Sequence, residues 1–152
     1  MNLNEAKTFI LRLSEELVKR KMDYLLLAGK YAEGLLKNRV FNKGMYSDRG
    51  KLGKYISRSW ATKRFNAGRQ IAYVDLNFTG GLMDSIVVGE DENNVAIYIN
   101  NDKKYLIARG QEEQRGRIKG IGTIDIWNLT PKEEKEIQKY IEELIDEQIE
   151  RL

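Results

Sequence analysis

Two groups of residues in this chain have types and spacing suited to chemistry, and both are charged. Between Lys37 and Arg69 stand ten bases (Lys37, Arg39, Lys43, Arg49, Lys51, Lys54, Arg58, Lys63, Arg64, Arg69) and one acid, Asp48. The other 119 residues hold 16 bases against 22 acids, so a protein of net charge +3 carries one strongly basic segment on a net-acidic remainder. Such a segment faces something anionic, either nucleic-acid phosphate or an acidic protein surface. The second group is Asp84 with Asp102-Lys103-Lys104. Two carboxylates to hold magnesium and a lysine to assist the attacking water are the parts of a metal-dependent nuclease. Three common residues at loose spacing recur by chance, however, and Asp102 serves equally well as a helix cap.

Absences narrow the chemistry further. With no cysteine and no histidine, there is no disulfide framework, no ordinary zinc or haem site and no Ser-His-Asp triad. No catalytic residue, metal ligand or cofactor site is assigned. No run approaches the roughly 18 apolar residues that span a bilayer, and the opening Asn2, Asn4 and Glu5 do not read as a signal peptide. The expectation is a protein made and kept in a cytoplasm, with no membrane partner. At 152 residues the chain is expected to be one domain with a core of its own.

The elements that position the basic segment follow from periodicity. Leu3, Ala6, Ile10, Leu13, Leu17, Tyr24, Leu27 and Tyr31 recur at three- and four-residue steps, which predicts one long amphipathic helix to about Asn38. A break is expected near Arg20–Asp23, because a continuous helix would be longer than a domain of this size is wide. Gly29 and Gly34 weaken its second half or permit close approach by another helix. From Val40 to Gly68 the periodicity fails, and Asn42, Gly44, Ser47, Gly50, Gly53 and Asn66 supply the turn chemistry of a long loop. Tyr46, Tyr55, Trp60 and Phe65 are interleaved there with the bases. Period two then predicts a small antiparallel sheet: Ile71–Phe78, a turn at Thr79-Gly80-Gly81, Met83–Val88, Val95–Ile99 and a short strand at Ile124–Trp127. Asn101 or Asp102 caps a short helix running through Gln114, and Arg115–Gly122 is a second basic, glycine-bearing loop. Thr130-Pro131-Lys132-Glu133 is a capping box with proline at the first helical position, opening a C-terminal amphipathic helix. Its outer face carries Glu142, Glu143, Asp146, Glu147 and Glu150. The fold class is α+β, organised as a helical arm (1–38), a basic loop (39–70), a sheet with a short helix (71–128) and the last helix (130–152).

Several local strings carry a resemblance. Asn38-Arg39-Val40-Phe41-Asn42-Lys43-Gly44, Gly53-Lys54-Tyr55, and Gly68-Arg69-Gln70 leading into Tyr73-Val74-Asp75-Leu76-Asn77-Phe78-Thr79-Gly80-Gly81-Leu82-Met83-Asp84-Ser85-Ile86 resemble tailed-bacteriophage neck and tail-completion proteins. The likeness continues through Ala108-Arg109-Gly110-Gln111-Glu112-Glu113 and Leu129-Thr130, and so covers most of the chain. It implies a non-enzymatic structural virion protein, made in the host cytoplasm, that forms a homo-oligomeric ring at the head-to-tail junction. Its neighbours would be portal, adaptor and tail proteins, with duplex DNA passing without sequence readout.

Within that expectation Arg49, Lys51, Lys54, Arg58, Trp60, Lys63, Arg64 and Arg69 are the candidate contacts, and they have three readings. They grip acidic faces of neighbouring subunits, the C-terminal helix among them; they approach the phosphates of passing DNA; or they belong to a solvated loop. Trp60 is the better interface anchor of the two tryptophans. Asp75 is expected to face solvent or cap a turn.

Overall fold

The structure is a computed structural model and describes residues 2–77, 79–113 and 124–152. It is an α+β fold framed by two long helices, α1 (Leu3–Lys37) and α5 (Pro131–Glu150). Between them lie α2 (Arg58–Asn66), α3 (Gly81–Ser85), the hairpin strands β1 (Ile86–Glu90) and β2 (Val95–Ile99), and α4 (Asp102–Glu112). Both long helices begin on capping boxes. In α1 the Asn2 side chain accepts the Asn4 and Glu5 amides while Glu5 reaches back to the Asn2 amide; in α5 Thr130 and Glu133 play the same parts.

The two helices pack antiparallel in a fixed register. Tyr24 Oη hydrogen-bonds Gln148 Oε1 at 3.3 Å, the Tyr31 and Tyr140 rings stack at 4.7 Å, and Arg39 Nε meets Glu133 Oε1 at 2.8 Å. Each step along α1 is matched by one back along α5. The expected break at Arg20–Asp23 does not occur, and α1 is continuous. Arg20 interrupts the apolar stripe without interrupting the helix, its guanidinium 3.7 Å from Glu16 one turn earlier. Carrying the register onward places Leu152 beside Arg20, so Leu3–Lys19 project past α5 by about 25 Å at 1.5 Å per residue. The excess length that argued for a bend is an arm.

At its other end α1 widens into a π-helical turn, Asn38–Asn42, closed by the Lys43 amide on the Asn38 carbonyl at 3.0 Å. The middle of this turn faces inward, with Arg39, Val40 and Phe41 all buried, while Asn38 and Asn42 stay exposed. Val40 and Phe41 join Leu36, Leu52, Val74, Leu82, Ile86, Ala108 and Ile126 in the core. Trp127 packs on its edge, 6.1 Å from the Phe41 ring, with its indole N–H on the Ala108 carbonyl.

The sheet is smaller than expected. β1 and β2 pair from Ile86↔Ile99 to Glu90↔Val95 and form the whole of it among the described residues. The first half of the Met83–Val88 strand is instead α3, launched by Gly80 in the left-handed region at φ 83. Ile71–Asn77 is irregular: it makes one ladder-like bond, Val74 N–H to the Gly53 carbonyl, and Leu76 at φ 54 ends any extension. Phe78 lies outside the described residues. Ile124–Trp127 pairs with no strand among the described residues because α4 captures its amides, Ile124 N–H on the Glu112 carbonyl and Ile126 and Trp127 N–H on the Glu112 carboxylate. The expected helix from Asn101 is α4, with Asn101 as cap. The Arg115–Gly122 loop, like Gln114, lies outside the described residues.

Gly29 admits a sheet and not a helix. A side chain there would press within 2.7 Å of the Val95 side chain, whereas Gly34 faces open space.

Candidate functional site

The basic segment is not one long loop. Residues 45–51 form a tight hairpin, with Tyr46 N–H on the Gly50 carbonyl and Leu52 N–H on the Gly44 carbonyl. Gly44, at φ 63, lies where a side chain would collide with the Val74 carbonyl. Residues 58–66 are α2, capped by Ser57 Oγ on the Trp60 amide. Periodicity missed α2 because one side of a nine-residue peripheral helix supplies too few apolar positions to register.

Two of the ten bases point inward. Arg64, among the candidate contacts, is 1% exposed and lies against the chain behind it. Its Nη2 bonds both Asp75 oxygens at 2.9 and 3.1 Å, Nη1 the Asn77 carbonyl at 3.1 Å, and Nε the Gln70 carbonyl at 3.2 Å. The guanidinium lies 4.6 Å from the Tyr55 ring centre, a stacking that planar arginine favours. Asp75, expected to face solvent or cap a turn, does not face solvent: it is drawn in to this cation, caps the turn by accepting the Asn77 N–H at 3.0 Å, and also takes bonds from Gln70 Nε2 at 2.7 Å and Tyr55 Oη at 3.0 Å. Arg39 is the second inward base. It binds Glu133 and the carbonyls of Tyr46, Ile126 and Asn128.

Burial, then the neighbouring Asp75 carboxylate, pushes the Tyr55 phenol up to about 12 from its ordinary 10.0. The unfolded chain therefore loses this proton first as pH rises, and folded-state stability falls between about pH 10 and 12. Tyr55→Phe is expected to flatten the decline, measured as urea midpoints across that range. An unchanged decline would show that Tyr55 does not titrate late.

The remaining candidates face outward. Arg49 and Lys51 are on the hairpin, Lys54 on the strand-like stretch after it, Arg58 and Lys63 on α2, and Arg69 just beyond, all exposed. Trp60 is half-buried, with Lys63 Nζ 5.3 Å from its ring centre. Of the other interleaved aromatics, Tyr46 and Tyr55 pack against the core, and Phe65 is 68% exposed. Ile56, Ile71 and Tyr73 are also exposed on this segment, an apolar contribution that sequence periodicity did not reveal. The two buried ion pairs thus anchor a segment whose outward side chains are both basic and apolar. A partner with an apolar centre and acidic rim suits it, and the exposed outer face of α5 has the acidic half of that description with Glu142, Glu143, Asp146, Glu147 and Glu150.

Asp84 and Asp102 are both exposed, and no group of three or more Asp, Glu, His or Cys side chains is gathered as a metal site among the described residues. Among those residues, no helix is long and apolar enough to cross a membrane. Comparison with family models, with curated proteins and with solved structures finds no match to this chain.

Proposed function

We propose that this chain is a structural virion protein of a tailed phage, a non-enzymatic subunit that forms a ring at the head-to-tail junction between portal-proximal and tail proteins. The observation that carries the docking part of this reading is the surface around α2, where Phe65, Ile56 and Ile71 are exposed among outward Lys and Arg. Protein interfaces combine apolar anchors with a charged rim, whereas a phosphate-binding surface needs the cations alone. In a ring each subunit offers one surface to the next, and complementary charge between the basic surface and an acidic α5 favours the correct neighbour.

Single exposed pairs contribute only about 0–1 kcal/mol each, so the test reverses several together. Lys51, Lys54, Arg58 and Arg69, all changed to Glu, are expected to abolish incorporation into particles while circular dichroism and thermal midpoint stay close to those of the parent. Normal incorporation would contradict the proposal. The same exposed cations support a second reading, a sequence-independent DNA-binding module. That reading requires free duplex to be bound and to be released by salt, with a loss of at least about 10³-fold between 50 and 200 mM if six or more phosphates are contacted. A gel-shift titration at those two concentrations separates the two.

A further inference from the structure

The stripe along α1 keeps strict heptad spacing. Leu3, Ile10, Leu17, Tyr24 and Tyr31 fall seven apart, and Ala6, Leu13 and Leu27 fall on the second seam position, with Arg20 between Leu13 and Leu27. Helix α5 covers the C-terminal half of this seam, through Tyr24 and Tyr31. The chain after it reaches Arg20, and the same seam continues along the arm with no second helix against it among the described residues. Leu3 is 87% exposed and Ile10 62%. Every hydrogen bond and ion pair of Leu3–Lys19 found among the described residues stays within the helix and its cap. A continuous helix cannot fold back to cover its own stripe, and among the described residues α5 stops short of it.

We propose that the occupant is the same arm of further copies of this chain, packed side by side, parallel and in register. Flanking charge selects the direction. Parallel helices bring each residue before the seam of one chain beside the residue five positions on in the next, which sets Glu16 against Lys21 of its neighbour. An antiparallel pair sets the flank bearing Lys7 and Lys21 against itself and the flank bearing Glu16 and Asp23 against itself, so that Glu16 meets no cation across the seam. The intrahelical contacts of Glu16 to Lys19 and Arg20, at 3.6 and 3.7 Å, are exposed and loose, and contribute too little to compete. The number of arms exceeds two. A two-helix seam would bury Leu3, Ala6, Ile10, Leu13 and Leu17 yet leave Leu11 and Val18 in water, 54% and 74% exposed on the far side of the Lys7–Lys21 flank. A bundle gives each arm a neighbour on both flanks.

This inference rests on the ring reading only in taking the neighbour to be a second copy, and its test needs no phage. Because the chain has no cysteine, Ala6→Cys and Leu17→Cys each place one thiol on the seam of the full-length protein. With a short bismaleimide, each variant alone is expected to cross-link to itself, and Thr8→Cys on the opposite face is not. Cross-linking only when the Ala6 and Leu17 variants are mixed would mean antiparallel arms, and no seam-specific cross-link would mean another partner; either overturns the proposal. Ile10→Asp with Leu17→Asp is expected to raise the concentration for half-assembly at least tenfold by sedimentation, with helix content retained. Glu16→Lys or Lys21→Glu should each weaken assembly, and the double exchange should restore it. A sedimenting species of two chains would overturn the bundle. Cross-linked arms in a protein that never enters particles would sink the ring reading and leave the arm; incorporation without arm cross-links would do the reverse.

Discussion

Arg64→Ala is expected to lower the free energy of unfolding by about 3–5 kcal/mol, the cost of removing one partner from a buried ion pair. The loss has two parts. Asp75 stays buried without the cation that spans both its oxygens through Nη2, and the Gln70 and Asn77 carbonyls lose the Arg64 donors. Three donors remain on Asp75, from Tyr55, Gln70 and Asn77, and place the expected value in the lower half of that range. Arg64→Lys keeps the charge and is still expected to destabilise, since an ammonium cannot reproduce the fork or the stacking on Tyr55. Urea titration followed by circular dichroism reads the loss, and limited trypsinolysis locates it, with new cleavage around α2 before the long helices open. A midpoint equal to the parent's would mean that the Arg64–Asp75 pair does not hold this segment. Because Arg58 and Lys63 share a short helix with Arg64, the variant is also expected to lose whatever the exposed surface binds.

The second large effect is at Arg39. Its guanidinium joins four separate pieces of chain: the end of α1 to which it belongs, the 45–51 hairpin through Tyr46, the stretch before α5 through Ile126 and Asn128, and α5 itself through Glu133. Arg39→Ala leaves a buried carboxylate and three carbonyls short of a donor, with an expected loss again of about 3–5 kcal/mol. Glu133→Ala should match it and add about 1 kcal/mol, because the other carboxylate oxygen caps α5 through the Thr130 amide at 2.9 Å. Glu133→Gln keeps one of the two acceptor oxygens and loses the other to an NH2 donor, and should fall between the parent and Glu133→Ala. Thermal unfolding of the three variants gives the order; an Arg39→Ala midpoint at the parent value would contradict it.

Removing the two inward bases from the basic segment leaves eight, and six of those are among the residues whose type and spacing had suggested contacts. Arg64 was grouped with them because composition records charge and not direction. Nothing in the string separates it from Lys63, its neighbour on α2. Its partner Asp75 lies eleven positions on, inside a stretch whose alternation pointed to a strand; the buried cation turns that carboxylate inward, and the strand is lost with it. Arg39 and Glu133 are 94 positions apart, a separation at which no local pattern signals contact. Glu133 was legible as the closing residue of a capping box, and that role is kept by one oxygen while the other binds Arg39.

The sequence by itself determined the α+β class, the two long amphipathic helices, the α5 capping box, the β2 strand and the concentration of bases between Lys37 and Arg69. All of these depend on neighbours within a few residues, where helix period, cap geometry and composition act directly. Only the tertiary structure decided which bases are spent inside, that the sheet has two strands among the described residues, and that α1 runs unbroken past α5. Those outcomes depend on what each residue meets across the fold: a carboxylate for Arg64, the Glu112 side chain for the amides of Ile126 and Trp127, and, for the stripe from Leu3 to Leu17, no second helix among the described residues.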